Sequence, residues 1–246
     1  MATVDLNHKA IVFTDFDGTI TLTDSNDYLV DNIGFGYTQR RTLGAEILAG
    51  RLSFRDGFHA MLSSVSPHKT MSECRDILLS HIQLDPGFKV FYEWCQTQDI
   101  PVIILSSGME PLIRALLEKL LGPDEKIEIL ANGVKEWEGG WEIVFHDESH
   151  FGHDKSRAIK PFKEARGKLA EGVEKPVFFY CGDGVSDLSA ARETDLLFAK
   201  AGHDLIKYCQ AENVPYKVFD DFSDIMRDVK SVVEGVKTAA DVAENR

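Results

Sequence analysis

Three carboxylates follow one short apolar segment near the start of the chain. The segment AIVFTD ends in Asp15, Asp17 follows almost at once, and Asp24 lies a little further along. Carboxylates held this close repel each other, which costs free energy unless a cation lies between them. The pattern therefore predicts a cation site where the apolar segment ends.

Polar side chains also follow other apolar segments. Ser106 and Ser107 end PVIILSS, Asp183 ends PVFFYCGD with Asp187 just after it, and Lys155 lies in GHDKS. In open α/β sheets, ligands bind beyond the carboxyl ends of the strands. We therefore expect these groups to contribute to one site.

The chemistry of this set points to a metal and an anion. Several carboxylates with no nitrogen or sulfur ligand suit Mg²⁺. Serine hydroxyls, a lysine and the first turn of the following helix can hold an anion. A cation, a lysine and a carboxylate around an anion are the parts that phosphoryl transfer uses.

The apolar segments predict the elements that position these residues. They are continuous runs rather than alternating ones, which is typical of parallel strands covered by helices on both faces. The predicted strands are 10–15, 101–107, 127–132 and 176–183, with 195–200 as a fifth. Helical patterns at 110–122 and 154–172 separate them. The predicted fold class is α/β, with a Rossmann-like doubly wound parallel sheet.

Two insertions interrupt this alternation. The first contains short helical patterns around 24–33, 37–49, 53–64 and 70–81, and is too long for a loop. It predicts a small helical cap over 23–84, with the core formed by 1–22 and 85–246. The second, at 133–147, alternates around two glycines and predicts a β-hairpin.

Four short motifs resemble those of a known superfamily. DFDGT, SSG, HDKS and GDGVSD occur in the order of the signature motifs of the haloacid-dehalogenase-like (HAD) superfamily. The helical insertion resembles the C1 cap of its phosphoserine-phosphatase-like branch. The segments FTDFDGT, LDPGF and YCGDGVSDLSAA are similar in sequence to those of fungal members described as polyol- or sugar-phosphate phosphatases.

The resemblance implies a catalytic role for the carboxylates. Asp15 would be the nucleophile that forms an aspartyl-phosphate. Asp17 would be the general acid for the leaving alcohol and then the general base for water. Asp15, Asp183 and the backbone carbonyl of Asp17 would bind Mg²⁺, with Asp187 in support or acting through a water molecule.

The resemblance also implies which residues hold the phosphoryl group. Ser106 and Lys155 would contact its oxygens, and Lys155 would offset the repulsion among the carboxylates. Thr19 and Ser107 would be supporting donors. The retained Asp17 indicates a phosphatase rather than a dehalogenase, because a halide needs no proton. A catalytically silent binding module remains the alternative from another class.

The predicted cap carries the substrate preference. Phosphoserine phosphatases have a Glu that reads the ammonium group and an Arg that reads the carboxylate; Asp24 and Met61 stand at these positions. Methionine cannot donate a hydrogen bond to a carboxylate, although Arg55 or His59 could do so from nearby positions. Asp24 and Asn26 suit vicinal hydroxyls, so a polyol or sugar phosphate is favoured. Phosphoserine and a broad range of small metabolites stay open, and the specificity residues are predicted to be Asp24, Asn26, His59 and Met61.

The amino-acid composition limits the kinds of molecule that the protein is expected to bind. The chain has 246 residues, with 27 Lys and Arg against 40 Asp and Glu, a net charge of −13. This field repels nucleic acids and anionic membranes. No apolar run reaches the roughly 18 residues of a membrane span, and the four cysteines form no C-x-x-C pair. We expect a cytoplasmic monomer or homodimer that acts on a small phosphorylated metabolite.

Overall fold

The computed structural model describes residues 4–123 and 125–243, so the ends of the predicted core, 1–3 and 244–246, lie outside the described residues. A seven-stranded sheet has the order β4-β3-β2-β1-β5-β6-β7. The strands are β1 Ala10–Thr14, β2 Val102–Met109, β3 Glu128–Trp137, β4 Gly140–Val144, β5 Val177–Gly182, β6 Leu196–Lys200 and β7 Lys217–Phe219.

Helices connect the successive strands along the chain, except between β3 and β4. They are α1 Ser25–Asn32, α2 Tyr37–Leu48, α3 Phe54–Ser63, α4 Met71–His81, α5 Phe88–Thr97, α6 Glu110–Leu121, α7 Lys155–Gly167, α8 Leu188–Ala191, α9 Asp204–Glu212, α10 Phe222–Val233 and α11 Ala239–Val242. Local sequence explains several starts: Ser53 caps α3, and Thr70 and Glu73 form a capping box on α4.

The sheet confirms the α/β class and its winding. β1 is completely buried and pairs in parallel with β2 and β5, with Val12 opposite Val102 and Phe179. The chain adds β2 and β3 on one side of β1 and later β5, β6 and β7 on the other. The side on which new strands are added therefore switches at β1, and ligands bind at this switch point in doubly wound sheets.

The chain divides into two compact units. The first consists of residues 1–20, 85–105 and 155–246, and the second of 21–84 and 106–154. The second unit contains α1–α4, which match the four helical patterns of the predicted insertion. The assignment of 23–84 as a cap stays a prediction.

The prediction for 127–132 is wrong in one respect. These residues do not form a separate buried strand, because they begin β3, which continues through Trp137 and pairs with β4 in an antiparallel hairpin. The hairpin itself is confirmed. β3 is mostly half-buried before its last three residues, which are exposed, and Asn132 is the one buried residue of the strand. The sequence analysis also missed β7, whose three residues are too few to give a pattern.

Asp85 connects distant parts of the first unit. It is 1% exposed, and its Oδ1 accepts the backbone N–H groups of Gly87 and Phe222, each at 3.0 Å. Its Oδ2 lies 2.9 Å from Nζ of Lys200, and its own N–H donates to the carbonyl oxygen of Ile20 at 2.7 Å. One carboxylate therefore joins the end of β6, the start of α10 and the turn before α5.

Replacing Asp85 with Ala should destabilise the protein by about 3–5 kcal/mol, because it leaves a buried lysine and two backbone donors unpaired. Glu93→Ala is the control, since the exposed Glu93–Lys89 pair at 3.9 Å should contribute less than about 0.5 kcal/mol. Urea unfolding of both variants measures the difference. Equal losses would contradict the role of Asp85.

Candidate active site

A buried lysine lies between two carboxylates in the first unit. Lys155, the first residue of α7, is 0% exposed, and its Nζ is 2.9 Å from Asp15 Oδ2 and 2.6 Å from Asp187 Oδ1. Burial alone would lower the pKa of Lys155, but the two carboxylates raise it above its ordinary value. The ammonium group therefore stays charged.

Asp187 accepts hydrogen bonds from four donors. Besides Lys155, its Oδ1 accepts the hydroxyl of Tyr180 at 2.5 Å, and its Oδ2 accepts the N–H groups of Asp183 and Gly184 at 2.9 and 3.0 Å. Burial, reinforced by the charge of Asp187, raises the pKa of Tyr180. The phenol therefore keeps its proton and donates a hydrogen bond to Asp187. Four donors fix the orientation of the Asp187 carboxylate.

Asp15 follows directly after β1. Its backbone N–H donates to the carbonyl oxygen of Cys181 on β5 at 2.8 Å, and its Oδ1 accepts the N–H of Phe16 at 2.7 Å. Burial and the charge of Asp187 raise the pKa of Asp15 well above its usual range, although Lys155 opposes this. A second cation near Asp15 would stabilise its charged form.

Asp183 follows β5 and has a histidine neighbour of its own. His203 Nδ1 lies 2.9 Å from Asp183 Oδ2, and the Thr19 hydroxyl lies 3.5 Å from Oδ1. Burial raises the pKa of Asp183, and the bond to His203 opposes this. The same bond raises the pKa of His203. The bond therefore stabilises the carboxylate form of Asp183 and the protonated form of His203.

The acids of the first unit fit a divalent cation. Asp15, Asp183 and Asp187 each offer a carboxylate oxygen, and these oxygens lie within 4.8 Å of one another. All the donors are oxygen, which suits Mg²⁺ better than a softer metal. Asp17 is also buried, at 7% exposed. The first unit thus contains six of the predicted residues: Asp15, Asp17, Thr19, Lys155, Asp183 and Asp187.

The second unit contains the predicted serines. Ser106 and Ser107 lie near the end of β2, and the Gly108 N–H donates to Ser106 Oγ at 3.0 Å, which leaves the Ser106 hydroxyl able to donate. The Ser107 hydroxyl is buried and has no hydrogen-bond partner within 4–123 and 125–243. A buried hydroxyl without a partner is unfavourable unless a ligand supplies one.

The four predicted specificity residues also lie in the second unit. Asp24 caps α1 by accepting the N–H of Asp27 at 2.8 Å, and Asn26 is buried in the same helix. Met61 is buried on α3, whereas His59 is exposed on that helix. The two predicted specificity residues of α3 therefore differ in their exposure to solvent.

Sequence reasoning missed Tyr180 and His203. Tyr180 lies inside an apolar run, so the pattern indicated core packing and gave no sign of its hydroxyl bond to Asp187. His203 had a weak signal, because it is a polar residue just beyond the end of the strand predicted at 195–200.

Comparison with known proteins identifies the class. Residues 12–192 match the haloacid dehalogenase-like hydrolase family, and the chain belongs to it. It is 52% identical over 241 residues to the polyol phosphate phosphatase PYP1 of Saccharomyces cerevisiae, covering 96% of this chain and 99% of that protein. It is 54% identical over 224 residues to the Pdp3-interacting factor 1 of Schizosaccharomyces pombe, covering 90% and 95%.

Solved structures agree on the fold. A phospho-aspartyl intermediate analogue of phosphoserine phosphatase superposes with a TM-score of 0.66 at 16% identity, covering 94% of this chain and 100% of that one.

Across the described part of the chain, no helix is both long enough and apolar enough to cross a membrane.

Gly18 is required by the approach of Asp183. Its φ is +75°, and a Cβ at this position would lie 2.5 Å from Asp183 Oδ2. Gly18→Ala should therefore lower the free energy of unfolding by at least about 2 kcal/mol through backbone strain and the displaced carboxylate.

Gly184→Ala is the matched control, because a Cβ at Gly184 meets no described atom within 4 Å and its φ is −123°. It should change the free energy of unfolding by less than about 0.5 kcal/mol. Chemical denaturation of both variants gives the comparison. If Gly18→Ala were as stable as Gly184→Ala, the close approach of Asp183 would be refuted.

Proposed function

We propose that this chain is a Mg²⁺-dependent phosphatase that cleaves small phosphate monoesters through an aspartyl-phosphate on Asp15. The observation that carries the proposal is the buried ammonium of Lys155 between Asp15 and Asp187, with Asp183 close enough to share a cation. This arrangement places one buried positive charge beside the carboxylate that a phosphoryl group would meet.

Asp15 is the proposed nucleophile. One carboxylate oxygen attacks phosphorus as the bond from phosphorus to the alcohol oxygen breaks, and Lys155, 2.9 Å from Asp15, offsets the charge that gathers there. Asp15, Asp183 and the Asp17 carbonyl would hold Mg²⁺, which when bound neutralises phosphoryl charge. Asp187 acts in support, because its oxygens already accept four hydrogen bonds.

Asp17 moves the proton in both half-reactions. In the first it gives its proton to the departing alcohol oxygen, so that the product leaves as a neutral alcohol. In the second it takes a proton from water, whose oxygen attacks phosphorus and releases Asp15 and orthophosphate. Asp17 is buried, at 7% exposed, and lies two residues after the proposed nucleophile.

Ser106, Ser107 and Thr19 are the proposed donors to the phosphoryl oxygens. The buried Ser107 hydroxyl, without a partner among the described residues, supports this assignment for the second unit. Thr19 donates only a long bond of 3.5 Å to Asp183, so its hydroxyl can exchange that bond for a better acceptor.

The proposed substrate is a polyol or sugar phosphate, selected by residues 23–84 acting as the cap. A relative that is 52% identical bears the name polyol phosphate phosphatase, which supports this choice. Arg55 weakens the phosphoserine alternative, because its guanidinium already donates to the Asp147 carbonyl at 3.0 Å and to Glu148 at 3.1 Å. Met61 cannot bind a carboxylate.

The proposed setting is the cytoplasm, with a small phosphorylated metabolite as substrate and the protein as a monomer or homodimer. The four cysteines are unpaired and buried, which agrees with a reducing compartment. The net charge of −13 disfavours nucleic acids and anionic membranes as partners.

Phosphate release from a panel of esters tests the proposal. With Mg²⁺ present, the polyol phosphates of ribitol, erythritol and sorbitol should turn over at least tenfold better, by kcat/KM, than serine or nucleoside phosphates. Asp15→Asn should lower turnover by at least about 10⁴-fold, because an amide cannot form the phosphoenzyme.

Two results would contradict parts of this account. A clear preference for phosphoserine would refute the polyol assignment and leave the phosphatase assignment intact. Absence of Mg²⁺-dependent turnover, with Asp15→Asn indistinguishable from the wild type, would favour the binding module. Chelation of Mg²⁺ by EDTA serves as the internal control.

A further inference from the structure

We propose that Asn132 and His153 are positioning residues that fix the Ser106–Ser107 segment for phosphate binding. The inference rests on the proposed function, because it concerns the donors assigned to the phosphoryl group. All four residues belong to the second unit, and each is at most 8% exposed.

Asn132 is an unusual residue for its strand. β3 has ten residues, and Asn132 is the buried one among them, at 0% exposed. Its Nδ2 donates to the Ser107 carbonyl at 2.6 Å, and its Oδ1 accepts the His146 N–H at 2.8 Å. A carbonyl only accepts and an N–H only donates, so these two partners fix the orientation of the amide.

His153 holds the neighbouring carbonyl. It is 1% exposed, and its Nδ1 lies 2.8 Å from the Ser106 carbonyl oxygen. Since a carbonyl cannot donate, Nδ1 must carry the hydrogen. The rings of His153 and His146 are 4.4 Å apart, so His153 packs against the residue whose N–H binds Asn132. The two carbonyl contacts are thus part of one connected group.

Two successive carbonyls are therefore each held by a buried side chain. Fixing the carbonyls of Ser106 and Ser107 fixes the peptide planes on both sides of Ser107, and with them the direction of its Cα–Cβ bond. The Ser106 side chain is oriented by the Gly108 N–H, which donates to its Oγ at 3.0 Å. The Ser107 hydroxyl, which is buried and has no partner among the described residues, then extends from a fixed backbone. Preorganised donors of this kind bind an anion without a further ordering cost.

The alternative is that Asn132 only joins β3 to the neighbouring backbone. The two roles give different kinetics. Loss of a structural tie lowers stability and the fraction of active protein, and leaves the affinity of that fraction unchanged. Loss of positioning weakens the affinity for the phosphoryl group itself, equally for every ester, because all esters share that group.

Asn132→Asp tests the proposal, because it keeps the size of the side chain and places a carboxylate oxygen against the Ser107 carbonyl. We expect the inhibition constant of inorganic phosphate to rise at least about tenfold, with equal rises in KM for erythritol phosphate and p-nitrophenyl phosphate. The exposed Asn213→Asp is the matched control and should leave both constants unchanged.

His153 supplies a second test if Asn132→Asp fails to fold. His153→Leu removes the donor to Ser106, whereas His153→Asn can place an N–H near the position of Nδ1. We expect His153→Asn to keep more phosphate affinity than His153→Leu. Phosphate affinity in His153→Leu equal to that of the wild type would overturn the proposal.

The outcomes separate this inference from the proposed function. If the wild type hydrolyses no ester, the proposed function fails, and calorimetry with inorganic phosphate decides the inference instead. Weaker phosphate binding in the variants than in the wild type would then still support the positioning role. A wild type that neither hydrolyses esters nor binds phosphate would refute both.

Discussion

The contact on which the site depends is the ion pair network of Lys155. A fully buried ammonium can persist only beside compensating charge, and Asp15 and Asp187 supply it at 2.9 and 2.6 Å. The dependence is mutual, because without Lys155 the acids would repel one another in a place that water cannot reach. The ammonium of Lys155 therefore offsets the repulsion between the carboxylates and holds them in position.

The rest of the first unit brings these charges together. β1 and β5 pair in parallel, so Asp15 and Asp183 follow neighbouring strands at one edge. Gly18 lets the loop after β1 pass close to Asp183, and Gly182 does the same beside Asp187, where a Cβ would lie 2.5 Å from the carboxyl carbon. Small residues at these points let the acids approach, and backbone N–H groups then orient them.

The sequence predicted the chemistry better than the supporting contacts. Asp15, Lys155 and Asp183 were found because charged residues after apolar runs are conspicuous and strand ends share an edge. Tyr180 and Asn132 were not, since the sequence of a strand does not reveal which buried polar atoms meet. The strand at 127–132 was misassigned for a related reason, because an apolar run does not show how far a strand continues.

A double-mutant cycle on Lys155 and Asp187 tests the central claim most directly. Lys155→Met, Asp187→Asn and the double variant are compared with the wild type by urea unfolding. Lys155→Met alone should cost about 3–5 kcal/mol because it leaves buried carboxylates uncompensated. The double variant should recover about 1–3 kcal/mol of the summed losses. Losses that add within about 0.5 kcal/mol would show that Lys155 does not hold the cluster together.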